Sequence, residues 1–338
     1  FHCRSPLTPG FNGSGVALNS QHHLPEVNQG LIARLVDSFK RAQDSDLYYS
    51  FRLSPVIVSA FVITMIMFLA AFLAPWIAPH QTLDLKTLDL MNAYLPPAWE
   101  PNSDPNFLLG TDDQGRDILS GIMFGLRISL GVGFASVIVS AIVGTLLGLL
   151  SGYLGGRLDS FIMRVADVQL TFPAILIALL IDGIVGSLLP KAAYNELKLY
   201  VLVLAIAASQ WVNFARTVRG STLVEKNKEY VQAAKVIGVH PFWIMVRHVL
   251  PNVISPVLVI ATLSLALAIL TEATLSFLGV GVPPTSPSLG TLIRIGQQYL
   301  FSGEWWMTIF PSSALVILVL AVNLLGDWLR DALNPKLR

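Results

Sequence analysis

Long uncharged apolar runs, separated by short charged segments, set the pattern of this chain. A helix needs about 20 residues to cross a hydrocarbon core of about 30 Å, and six stretches approach or exceed that length. The first covers about residues 55–78, with no acid or Lys/Arg between Arg52 and Asp84. The second, about 128–151, begins after Arg127 and meets no charge until Arg157. The third, about 165–189, carries Asp167 near its start and Asp182 further along. The fourth, 199–216, is short and completes an even count with the third. The fifth, 252–272, lies between Arg247 and Glu272, and the sixth, 305–326, between Glu304 and Asp327. The pattern predicts an all-α integral membrane protein with six transmembrane helices in a domain spanning 55–330.

Composition supports that reading. Of 338 residues, 54% are hydrophobic and 13% charged, about half the charge of an ordinary soluble domain. A net charge of +1 is too weak a field to argue for nucleic acid as a partner. The single cysteine, Cys3, allows no internal disulfide. Residues 1–30 read as a flexible polar tail, and the adjacent His22 and His23 within it are expected to be solvated rather than metal-bound. Phe1 at the head carries the expectation that the biological start lies elsewhere. The first apolar run is too long for a cleaved leader, and a largely polar stretch of about fifty residues precedes it.

Lys and Arg gather on alternate connections, which orients a membrane protein with that side in the cytoplasm. The N-terminal segment 31–54, the connections after spans two and four, and the C-terminal segment 331–338 hold most of the 22 basic residues. The loop 79–127 has seven acids and three bases, so it is expected outside. Both termini are then cytoplasmic.

Within span two, Gly144, Gly148, Gly152 and Gly156 recur every four residues. Glycines at this spacing let two membrane helices approach closely; Gly144 and Gly148 are assigned to packing, Gly155 and Gly156 to a turn. Pro173 should kink span three by removing a backbone donor. Asp167, Asp182 and Glu272 are the acids nearest the hydrocarbon region. Their placement near span ends argues against a proton relay, and no chain of carboxylates crosses the membrane. Trp305 and Trp306 are assigned to an interfacial aromatic belt.

The stretch 218–251 is the most informative. Good helix formers from Glu229 onward meet the helix-stop residue Gly238, and Pro241 can open a second short helix. The expectation is helix, tight turn, helix, lying along the basic side, with Ala233 and Ala234 exposing little side chain to an approaching protein. From the residues alone, a docking element and a solvated loop that only sets topology stand level.

Resemblance separates them. Gln232-Ala233-Ala234, then Gly238, then His248-Val249-Leu250-Pro251 resembles the EAA loop of ABC importer permeases, with Gln where that loop has Glu and His248 where Ile is usual. Gly110-Thr111-Asp112-Asp113-Gln114-Gly115-Arg116-Asp117, Glu272-Ala273-Thr274-Leu275-Ser276-Phe277-Leu278-Gly279 and the ending from Asn323 to Pro335 resemble the dipeptide/oligopeptide permease family, also known for nickel, in its C-type subunit. The similarity covers about 40–338.

It implies a type I importer permease forming half of a translocation pathway. The implied partners are a homologous B-type permease, two cytoplasmic ABC ATPases, an external substrate-binding protein and the lipid bilayer, with no nucleic acid. It assigns ATPase coupling to Glu229, Gln232, Ala233, Ala234, Gly238, His240, Pro241, Arg247 and Pro251. Gly110, Asp112, Gly115, Arg116 and Asp117 take a structural role on the external side, at the bacterial inner membrane.

The chain has no G-x-x-x-x-G-K-[ST] loop to cradle nucleotide phosphates, no H-E-x-x-H or metal-spaced Cys/His cluster, and no G-x-S-x-G turn. It is therefore expected to be no enzyme, with no catalytic residue, metal or cofactor of its own; ATP and Mg belong to the partner ATPases. Competing readings are the same family with nickel-chelate, opine, glutathione or oligosaccharide cargo, a secondary transporter, and an intramembrane hydrolase. The last two lack, respectively, a convincing internal repeat and a nucleophile–base pair.

Overall fold

A computed structural model describes residues 51–81, 89–283 and 286–332; the 1–30 tail, with Cys3, His22 and His23, and the end of the chain from 333 lie outside them. Helix α1 spans Pro55–Ile77 and α2 Ile118–Leu154. Helices α3 (Gly156–Leu170) and α4 (Ala174–Leu188) are followed by α5 (Lys191–Glu225) and α6 (Glu229–Val236). Helix α7 runs Pro241–Phe277 with one wider turn at Met245–Val249. The short α8 (Leu289–Gln297) and α9 (Trp306–Ala332) complete the order. Among the described residues, five helices are long and apolar enough to cross a membrane, and the bent pair α3–α4 makes a sixth if it is one broken span.

Several helices outrun their apolar windows. Helix α2 has 37 residues, roughly 55 Å at 1.5 Å per residue, so its ends must leave the hydrocarbon. The window 199–216 sits inside the 35-residue α5, which makes that span long where its apolar core alone is marginal. Pro173 does more than kink its span. Residues 171–173 separate α3 from α4 at a 98° bend, and Pro173 stands just ahead of α4, where its missing N–H costs nothing.

Helices α2 and α5 form the centre of the bundle, and three glycines explain how. A Cβ at Gly144 would stand 2.4 Å from Phe214 Cβ and 2.5 Å from the Trp211 carbonyl oxygen. At Gly148 it would stand 2.4 Å from the Ala215 carbonyl oxygen, and at Gly152 2.7 Å from Thr222 Cβ. Backbone thus rests on side chain along three turns, where dispersion does the work that water exclusion does in soluble proteins. Gly152 joins the packing ladder, while Gly155 and Gly156 take positive φ (68° and 62°) and turn the chain into α3.

Candidate functional site: the α6–α7 turn and the loop ahead of α2

Helix α6 is held from below and open above. Val231 is fully buried and Ala234 nearly so, whereas Glu229, Gln232, Ala233, Lys235, Val236 and Ile237 are exposed. Neighbours on a helix point about 100° apart, so of the two small alanines Ala234 faces the core and Ala233 faces out. Gly238 takes φ +85°, a left-handed conformation that glycine adopts without strain. His240 Nδ1 then accepts from the backbone N–H of Phe242 at 3.3 Å, capping α7. Pro241, Arg247 and Pro251 are exposed on the first turns of α7. The second helix is not a separate short piece, because Pro241 opens the helix that runs on to Phe277.

One side chain ties this turn to the spans on both sides. The Tyr230 hydroxyl donates to the Glu225 carboxylate at the end of α5, and accepts from Asn252 Nδ2 at 2.9 Å on α7. Asn252 also donates to the His248 carbonyl at 2.8 Å. Desolvation, followed by the hydrogen bond to Glu225, pushes the Tyr230 phenol up to about 12, so it stays a neutral donor. Lys226 donates to the Gly152 carbonyl at 2.7 Å, and the Lys235 ammonium lies 5.5 Å from the Tyr153 ring centroid. Gln232 is spent locally, donating to the Lys226 carbonyl at 3.0 Å.

The most exposed apolar side chains here are Val236 (87%) and Ile237 (80%), with Phe242 and Trp243 more than half exposed beside them. Sequence reading passed over these four because they read as ordinary helix and turn formers. A run of apolar residues at the tip of a basic turn was the signal available.

At the other end of α2, the 110–117 stretch is a closed knot. Asp112 Oδ1 accepts from the backbone N–H of Gln114 at 2.8 Å and of Arg116 at 2.9 Å. Its Oδ2 accepts from Arg116 Nε at 2.6 Å, with both side chains 7% exposed. Asp117 caps α2 by accepting from the Ser120 backbone N–H at 2.9 Å. Gly110 and Gly115 take φ of +82° and +76°, and a Cβ at Gly115 would lie 2.2 Å from the Asp89 carbonyl oxygen. Trp306 Nε1 donates to the Thr111 carbonyl at 3.1 Å. Trp306 is therefore buried in protein, 6% exposed, rather than standing in an aromatic belt.

The three span acids also find places. Asp167 pairs with Arg216 at an exposed site. Asp182 accepts from the Tyr194 hydroxyl at 2.8 Å through each carboxylate oxygen. Glu272 is fully buried, accepting from Ser129 on α2 and Ser276 on α7 at 2.7 Å each. Ser129 Oγ in turn accepts from the Leu289 N–H at the start of α8 at 3.4 Å.

With this geometry in view, a family profile described as "Binding-protein-dependent transport system inner membrane component" matches residues 144–338. The chain belongs to this family. Among curated relatives of the permease, the dipeptide transport system permease protein DppC of Haemophilus influenzae is 39% identical over 293 residues, 87% of this chain and 95% of its own. DppC of Escherichia coli is 40% identical over 291 residues, 86% and 92%. The di/tripeptide permease DppC of Pseudomonas aeruginosa is 35% identical over 321 residues, 95% and 99%. A solved chain of the MetNI methionine ABC transporter, in inward-facing form, aligns with 62% of the permease and 94% of its own length, at 20% identity and TM-score 0.48. The permease is thus an Opp/Dpp-type ABC importer component with several membrane-spanning helices.

Proposed function

We propose that the permease is the C-type membrane half of an ATP-driven importer of dipeptides and oligopeptides. A homologous B-type permease supplies the other half of the pathway, two cytoplasmic ATPases bind beneath the pair with the α6–α7 turn seated in a groove on one of them, and an external binding protein delivers cargo beside the 110–117 knot. ATP and Mg are held by the ATPases; this chain contributes no catalytic group. Both termini and the α6–α7 turn lie in the cytoplasm, where the basic residues gather. The observation that carries the reading is the apolar tip Val236–Ile237, 87% and 80% exposed on a turn whose inner face is anchored by the Tyr230 hydroxyl. A greasy tip that its own chain leaves uncovered fits a groove on another protein, and the anchor converts movement of that protein into movement of α5 and α7.

The test is to purify the assembly with Val236→Asp and Ile237→Asp together, and separately with Gly238→Trp. Membrane insertion is expected to stay normal while co-purification of the ATPases and transport-coupled ATP hydrolysis fall at least tenfold. Normal stimulated hydrolysis in either variant overturns the coupling assignment. Peptide cargo rests on the relatives' names, and the ligand carried by the cognate binding protein decides between peptides and a nickel chelate, opine, glutathione or oligosaccharide.

A further inference from the structure

Beside α2, near its loop end, lies an open groove of about 370 Å³, within the range of small-ligand sites. Its floor is apolar, with Phe124 and Val132 both buried, and Leu199 of α5 forms one wall. Ser286 contributes the hydroxyl. Arg127 is the one charged residue lining it. It is exposed, and among the described residues no carboxylate or carbonyl pairs with it. One turn further along the same face, Gly131 is exposed, and a Cβ there would meet nothing within 4 Å, so the groove continues past the cation toward the middle of the span.

Arg127 is the tenth residue of α2, roughly 14 Å along the axis from the helix start, and the long apolar run begins at the next residue. At the edge of the span the guanidinium stays charged and faces water or an anion. Near the same end of α2, Arg116 is engaged by Asp112. Arg127 keeps its planar fork of donors free, and that fork matches a carboxylate with two parallel hydrogen bonds. A cation and a hydroxyl over an apolar floor fit a small amphiphilic anion.

We propose that Arg127 is a transient subsite for the terminal carboxylate of the cargo as it enters the membrane half of the pathway, with the groove floor receiving the adjoining apolar side chain. This rests on the peptide-importer reading above. The exchange is one of hydrogen bonds, in which the carboxylate trades water for the guanidinium and then moves past Gly131. Binding must stay weak, because a carboxylate held tightly would not leave.

The experiment uses the complete transporter with its binding protein in liposomes, after Cys3→Ser. Arg127→Cys is expected to lower dipeptide uptake at least tenfold. Modification with aminoethyl methanethiosulfonate, which restores a cation, is expected to recover most of it; the sulfonatoethyl reagent, which installs an anion, recovers none. Equal uptake by both adducts, wild-type uptake by unmodified Arg127→Cys, or no reaction of the thiol because a neighbouring subunit covers it, each overturns the subsite. Should Arg127→Cys fail to assemble, Gly131→Cys keeps the arginine. An anionic adduct there is expected to inhibit uptake at least tenfold more than a neutral adduct of similar size, and equal inhibition by the two overturns the proposal. A parent transporter that moves no dipeptide with its own loaded binding protein defeats the cargo reading instead.

Discussion

The indole N–H of Trp306 reaches the carbonyl of Thr111 at 3.1 Å across 195 positions of chain. Trp306 opens α9 and Thr111 lies in the knot ahead of α2, so this one bond joins the start of the last span to the loop before the second. The same knot is clasped from α9 by packing, since a Cβ on Gly110 would stand 3.0 Å from the Trp306 ring. Trp306→Phe keeps most of the ring and deletes the donor, leaving a buried carbonyl unpaired at a cost of roughly 1–3 kcal/mol. Thermal unfolding of the detergent-purified assembly is expected to show a lower midpoint, and an unchanged midpoint removes this bond from the stability of the knot.

Gly148 and Gly131 provide a matched pair on α2. Gly148→Val drives side-chain atoms into the Ala215 backbone, whose carbonyl oxygen already lies 2.4 Å from where a Cβ would be. Overpacking of this kind typically costs 1–3 kcal/mol and more when the obstacle is backbone, so assembly with the other subunits is expected to fail. Gly131→Ala meets open space and is expected to melt as the parent does. Size-exclusion profiles and melting curves of the two variants check the contrast.

Tyr230→Phe removes one hydroxyl that engages Glu225 and Asn252 together. The ring stays, so α6 keeps its seat. Movement at the turn should then reach α5 and α7 less faithfully, and peptide uptake per ATP hydrolysed is expected to fall about three- to tenfold, the range of a coupling free energy of about 1 kcal/mol. Parallel uptake and hydrolysis assays give the ratio, and an unchanged ratio excludes the phenol from transmission.

Asp113 supplies a pH dependence. Burial, and then the neighbouring Asp112 charge, raise its carboxyl above the ordinary range, against smaller opposing pulls from Arg116 and the Tyr299 hydroxyl. A folded-state pKa above the unfolded one means the native loop holds its proton more tightly. The stability this contributes is complete below the unfolded carboxylate pKa of about 3.9. It is lost as pH rises through the raised value. Asp113→Asn is expected to abolish that loss, so its melting midpoint exceeds the parent's at pH 7 and converges with it near pH 4. A pH-independent offset between the two contradicts the assignment.

The apolar runs of the sequence announce spans because hydrocarbon tolerates little else, and the four-residue glycine ladder announces a close helix contact. Neither says which helix arrives. That α5 is the partner of α2, that Gly152 extends the ladder, and that Ala234 turns inward while Ala233 turns out are decided by relative rotation and register, which depend on all neighbours at once. The break at 171–173 was legible as a proline but not as a 98° bend, because a proline only removes a donor and the surrounding helices choose the angle. Trp306 reads in sequence as a belt residue; only the fold brings the Thr111 carbonyl to its indole. Arg127 reads as the edge of a span, and its standing as an unpaired cation in a groove exists only once Leu199 and Ser286, distant along the chain, close around it. One-dimensional patterning governs transfer between water and lipid, residue by residue, whereas pairing and enclosure arise from contacts between segments and so belong to the folded molecule.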